Sequence, residues 1–207
     1  MHGCRRVGRF VSVSGLLLLF ALTALLSGPP VAAINISVPT IAYVGTIGDS
    51  TTPVTDCLTP GNTDCTLRDA IAAVAGGSPA TVQFGTGFPT GPQTITLTLG
   101  TLTLANSVTI TGPTGQAVAV DGGCTFSNGA CTSGGVTVFT VNSGVTAAIS
   151  NLTIQHGNAG SGNNGGGIVN LGVLTITNSI FSGNVGDIGG GIYIQNKLTV
   201  TNSAFSD

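Results

Sequence analysis

Beyond about residue 94 the chain alternates apolar residues with Thr, Ser and Asn in short β-branched runs, a period of two that predicts strands. Such runs occupy 94–104, 108–111, 136–141 and 146–154. The pattern then becomes a repeat. Residues 165–183 read GGGIVNLGVLTITNSIFSG and residues 189–207 read GGGIYIQNKLTVTNSAFSD, 24 residues apart and identical at 11 of 19 positions. A unit that short cannot bury its own apolar face and must stack on its neighbours, so it predicts a solenoid. Each copy reads as one coil of a right-handed parallel β-helix, and the expected fold class is all-β.

In that register Ile168, Leu174, Ile176 and Phe181 point inward, and Ile192, Leu198, Val200 and Phe205 stack on them one strand spacing away, roughly 4.8 Å. Asn178 and Asn202 recur at one corner, with Asn151 continuing the column, and stacked amides there would satisfy turn backbone. The triplets Gly165, Gly166, Gly167 and Gly189, Gly190, Gly191 lack the Lys-Ser/Thr and helix pattern of a phosphate loop. They read as turns that need positive φ.

Residues 34–44 read as an opening strand region, followed by a Gly/Asp/Thr/Pro loop to Cys65. A helix is predicted from Thr66 to Ala75: Thr66 is the N-cap, Asp69 follows three residues on, Leu67, Ile71 and Val74 repeat at helical spacing, and Gly76-Gly77 ends it. A single amphipathic helix ahead of a run of strands fits a lid over the apolar end of the first coil. Residues 34–93 are therefore expected to form an N-terminal cap and residues 94–207 the coils. The second repeat stops at Asp207, just before the position that Asn184 fills in the first, and the array is expected to continue past it.

Composition changes the picture at the N-terminus. Arg5, Arg6 and Arg9, an apolar stretch over 11–26 and the small residues Val31-Ala32-Ala33 predict a secretory signal peptide over residues 1–33. An uncleaved anchor is the alternative, although the apolar stretch is short of the ~20 residues of a membrane span. What remains contains no Glu, seven Asp, and only Arg68 and Lys197 as cations. A weakly acidic surface dominated by Thr, Ser, Asn and Gly argues against nucleic acid and against the membrane as partners of the exported segment.

Four cysteines remain, as two close pairs. An even count in an exported chain predicts disulfides, and the short separations favour Cys57 with Cys65 and Cys124 with Cys131 among three connectivities. Neither pair has CxxC spacing and His156 is far off in sequence, so no metal and no cofactor is expected.

Cys65-Thr66-Leu67-Arg68-Asp69-Ala70-Ile71, with Cys57 upstream, resembles the CSLREA motif near the N-terminus of exported bacterial β-helix proteins. Gly-Gly-Gly-Ile at 165–168 and 189–192, with Phe181-Ser182-Gly183-Asn184, resembles the GGA-I and FxxN repeats of chlamydial-type polymorphic outer membrane proteins. Asp69 replaces the motif's Glu, glycine replaces the alanine of GGA-I, and no C-terminal β-barrel is present. The resemblance implies a secreted or cell-surface repeat protein, outer membrane included, with a structural or adhesive role. Its partners would be extracellular glycans or the surface molecules of host or neighbouring cells.

The β-helix is also the scaffold of pectate lyases and polygalacturonases, so a fragment of a polysaccharide lyase or hydrolase is the alternative. A hydrolase needs closely placed carboxylates, and a lyase needs an acidic Ca²⁺ cluster with a basic residue. Here Asp49, Asp56, Asp64 and Asp69 crowd the N-terminal loop and cap, while Asp121, Asp187 and Asp207 are solitary in sequence. Arg68 is expected to pair with Asp69 or a backbone carbonyl, Lys197 to lie on the surface and His156 to be a solvated turn residue. No catalytic residue is assigned. A minor alternative comes from Thr175 and Thr177, which lie in register over Thr199 and Thr201 as in ice-binding solenoids, with Ala148 and Ser150 one coil earlier. The sequons Asn35-Ile36-Ser37 and Asn151-Leu152-Thr153 match the glycosylation pattern, but the bacterial-type motifs argue against their use.

Overall fold

The computed structural model describes residues 40–50, 57–75, 80–127 and 130–206, all within one compact unit. The expected signal peptide, the first sequon, Asp56, Gly76-Gly77 and Asp207 lie outside the described residues.

Fifteen strands build three parallel sheets. The first contains, in spatial order, β1 (Thr40–Val44), β2 (Ala80–Phe84), β5 (Val108–Thr111), β10 (Thr146–Ser150), β13 (Val173–Thr177) and β16 (Lys197–Thr201). The second contains β3 (Gln93–Thr96), β6 (Val118–Asp121), β11 (Thr153–Gln155), β14 (Ile180–Ser182) and β17 (Ala204–Ser206). The third contains β4 (Leu102–Leu104), β9 (Phe139–Val141), β12 (Ile168–Asn170) and β15 (Ile192–Ile194). From β2 onward the chain lays one strand on the first sheet, one on the second and one on the third, then returns to the first. This cycle is compatible with a parallel β-solenoid.

The repeat register agrees with the strand pairing. Ile168 pairs with Ile192, Leu174 with Leu198, Ile176 with Val200 and Phe181 with Phe205. Inward residues form columns; one runs Ala42, Val82, Ile110, Ile149, Ile176, Val200. Burying each large aliphatic or aromatic side chain in such a column stabilises the fold by about 1.5–3 kcal/mol. In the last coil the column mates are partly open: Phe205 is 51% exposed where Phe181 is 1% exposed.

Sequence and structure differ over where the ladder begins. β1 and β2 belong to the same six-stranded sheet as the later strands, so parallel pairing starts at Thr40 rather than near residue 94. The segment expected to be a separate cap over 34–93 contributes ladder strands on either side of the helix. Irregular spacing hides this: Ala80 pairs with Val108, and Val108 with Ala147, whereas Leu174 and Leu198 are only one short repeat apart.

Helix α1 (Leu67–Ala73) is shorter than the predicted span. Thr66 caps it, its hydroxyl oxygen accepting from the Asp69 N–H at 3.1 Å and its O–H donating to the Asp69 carboxylate at 2.7 Å. Leu67, Ala70 and Val74 are buried, while Ile71 only packs partly against the core. Two of the three expected inward residues, Leu67 and Val74, are thus buried, and Ala70 joins them where Ile71 is only partly covered.

Both disulfides are local, Cys57 to Cys65 and Cys124 to Cys131. The first is buried in the core. The second closes an antiparallel hairpin of β7 (Thr125–Ser127) and β8 (Ala130–Ser133), which stands outside the three sheets between β6 and β9.

Candidate functional site

Among the described residues, two polar clusters and one regular face stand apart from the core. The first cluster joins the loop after β1 to α1 and to the turn after β3. Arg68 donates from Nε to Asp49 Oδ1 at 2.7 Å and from Nη2 to Asp49 Oδ2 at 3.1 Å, and its two terminal nitrogens also donate to the carbonyls of Gly100 and Thr101. Asp49 further accepts from the N–H groups of Thr98 at 2.8 Å and Leu99 at 2.9 Å. Its side chain is 1% exposed and that of Arg68 17% exposed. Burial works to raise the Asp49 pKa. The Arg68 hydrogen bond, the Leu99 and Thr98 N–H groups and the Arg68 charge outweigh it and hold the carboxyl below its ordinary value.

Of the two partners expected for Arg68, backbone carbonyls are found, at Gly100 and Thr101, whereas Asp69 is not among them. Asp69 lies in the first turn and is occupied by the Thr66 cap, so the guanidinium reaches across to the neighbouring loop. The hydrogen bonds of this cluster all run between protein groups, which makes it a clasp. Asn62, absent from the sequence reading, works beside it: its Nδ2 donates to the carbonyls of Tyr43 and Thr59, and its Oδ1 accepts from the Cys65 N–H. Its only sequence signal is its place inside a loop closed by Cys57 and Cys65.

The second cluster holds the histidine. His156 Nδ1 lies 2.8 Å from Asp121 Oδ2, and the same oxygen accepts from Gln155 Nε2 at 2.8 Å while Asp121 Oδ1 accepts from the Gly123 N–H at 2.7 Å. Asp121 and Gln155 are register partners on β6 and β11, and His156 follows at φ 50°. Facing a carboxylate acceptor, Nδ1 carries a proton and donates to it. The Phe126 ring from the hairpin lies on the imidazole with centroids 4.9 Å apart. His156 is a turn residue, as expected, but a partnered one. Asp121, solitary in sequence, is brought to it by the parallel register.

The recurring asparagines and glycines divide by cause. Asn151, Asn178 and Asn202 all occupy left-handed backbone near φ 50°, a conformation that asparagine tolerates. Asn178 Nδ2 reaches Asn151 Oδ1 at 3.4 Å, a single link where a continuous amide ladder was expected. Asn184 instead accepts from the Gly157 N–H and donates to the Ile154 carbonyl, tying two coils together. In each glycine triplet only the first member has positive φ, Gly165 at 72° and Gly189 at 66°. The expectation that all six are turn glycines is corrected: a Cβ at Gly166 would overlap Val185 backbone, and one at Gly167 the Gly191 carbonyl, so these are needed for close stacking of coils.

The regular face is the outward side of the six-stranded sheet. One row runs Ile41, Thr81, Thr109, Ala148, Thr175, Thr199 and the next Tyr43, Gln83, Thr111, Ser150, Thr177, Thr201, so the small-residue pattern begins at β2. The sequence reading found only the last two strands and their Ala148/Ser150 neighbours. Thr81, Thr109 and Thr111 escaped it because the hairpin lengthens the coil between Thr109 and Ala148.

Among the described residues no three His, Cys, Asp or Glu side chains converge to hold a metal ion. Lys197 lies exposed at the rim of the threonine face, and Asp187 accepts from the Gly162 N–H at 3.0 Å within the loop stack. No described helix is long and apolar enough to cross a membrane. No protein-family model, curated protein or solved structure matches this chain.

Proposed function

We propose that this chain is an exported right-handed parallel β-helix repeat protein, secreted or held at the cell surface, with a structural and binding role. The observation that carries the reading is the in-register stacking of core columns through six strands, from Ala42 to Val200. A scaffold of that kind presents long, rigid outward faces, and here the face of the six-stranded sheet carries uncharged Thr, Ser, Ala and Gln in two rows from β2 to β16. Two local disulfides support an oxidising compartment. The CSLREA-like segment, with Cys65 bonded, Leu67 and Ala70 buried and Arg68 clasped, supports kinship with exported bacterial β-helix proteins. Adhesion to extracellular glycans or to surface molecules of host or neighbouring cells follows as the working role.

The test has two arms. Expression with its leader in a diderm bacterium should deliver the protein, with both disulfides formed, to the periplasm, the surface or the medium. The purified protein should then compete with adhesion of the expressing cells to a glycan-coated surface. Cytosolic retention would defeat the export reading, and normal export without competition would defeat the adhesive one.

A further inference from the structure

We infer that the outward face of the six-stranded sheet is a surface that binds ice, its ligand being an ordered lattice of water. The inference rests on the parallel register, not on the adhesive role.

From β2 onward the first row of this face places a small methyl-bearing side chain on each of five successive strands, four threonines and Ala148, while β1 bounds the grid with Ile41 and Tyr43. The second places a polar group on each, a hydroxyl on four of the five. Neighbouring strands stand roughly 4.8 Å apart and residues two apart along a strand roughly 6.6 Å. The result is a two-dimensional grid of small groups. The backbone ladder fixes its spacings in advance, so a bound lattice does not have to order them.

Outward threonine alone means little, because β-propensity supplies it. The other sheets provide the comparison. The corresponding outward rows of the five-stranded sheet read Thr94, Ala119, Thr153, Ile180, Ala204 and Thr96, Asp121, Gln155, Ser182, Ser206. Threonine regularity is confined to one face of the molecule.

That face also lacks what other ligands need. Apart from a 3.4 Å bond from Ser150 to Thr111, the hydroxyls of the second row make no hydrogen bond within the described protein. No charged side chain stands within either row, and Lys197 borders the grid in the adjacent column. An ionic ligand would find a single cation at the border and none within the grid, and a small molecule prefers a concave apolar site. A neutral partner with its own two-dimensional repeat fits both rows at once. A shallow dent of about 230 Å³ opens at the edge of the grid, lined by Ala80, Ser107, Thr109, Thr146, Ala148 and Thr175 among others.

The test is ice recrystallisation and thermal hysteresis measured on the purified, disulfide-bonded protein, with circular dichroism to confirm unchanged strand content. Wild type should slow recrystallisation. Thr175→Lys and Thr177→Lys, both outward and remote from the core, should abolish the effect while folding normally. Ala148→Thr, which completes the threonine row, should strengthen it. A folded wild type with no effect on ice overturns the inference, as do folded lysine variants that act like wild type. Retention on crystalline chitin or cellulose without any effect on ice also overturns it, and would assign the face to a polysaccharide.

Discussion

The carboxylate of Asp49 and the guanidinium of Arg68 meet through two parallel hydrogen bonds, with the carboxylate almost wholly buried and two backbone N–H groups completing its shell. The pair joins three segments that share no ladder: the loop after β1, helix α1 and the turn ending at Thr101. Removing the cation leaves a buried anion. Arg68→Ala should therefore destabilise the protein by about 3 kcal/mol in denaturant unfolding, whereas Lys197→Ala, at an exposed position, should leave the midpoint unchanged.

The same pair sets an acid limit. The folded-state pKa of Asp49 lies below the ordinary 3.8. Its contribution is therefore complete above that value and is lost as pH falls through the lowered folded pKa. Unfolding free energy measured from pH 5 downward should fall more steeply for wild type than for Asp49→Asn. Parallel curves would remove this carboxylate from the acid response.

Leu67 is 1% exposed at the start of α1, while Ile71 is only partly covered. Leu67→Asp should destabilise by several kcal/mol through an unpaired buried charge, and Ile71→Asp by distinctly less. Equal losses in thermal melts would contradict the helix orientation.

Glycines that appear equivalent should separate by mechanism. A methyl group at Gly166 meets the Val185 backbone, so Gly166→Ala should cost more than about 3 kcal/mol. Gly162 faces open space at φ 78°, so Gly162→Ala should cost only the left-handed backbone penalty of about 1–2 kcal/mol. Urea titrations of the two variants measure the difference.

Polygalacturonate should be neither hydrolysed nor cleaved by elimination, with or without Ca²⁺. Among the described residues the register assembles no paired carboxylates, and His156, held by Asp121, has the aromatic ring of Phe126 against its face. Turnover of polygalacturonate that disappears in His156→Ala would reverse this and make the Asp121–His156 pair catalytic.

The inward columns were readable because the two C-terminal copies are almost superimposable as text, and a fixed repeat converts spacing directly into neighbours. Earlier coils hid theirs. Asp121 and His156 are register neighbours only once the hairpin 125–133 is set aside, and Thr109 lies 39 residues from Ala148 for the same reason. The partner of Arg68 was hidden differently: side-chain pairs between loops leave no period in the sequence, and the nearest acid, Asp69, was already committed to Thr66. Alternation also could not tell Ala70 from Ile71 as the contact of a helix barely two turns long.

The hairpin carries one further consequence. It leaves the ladder after β6 and returns before β9, yet the strands on either side keep the same partners as those of uninterrupted coils. Pairing depends on where the chain re-enters a sheet and is indifferent to the excursion between. The span between Gly123 and Gly134 thus acts as a socket. A foreign peptide, or a small domain with adjacent termini, grafted there would ride on the scaffold without shifting a single ladder bond.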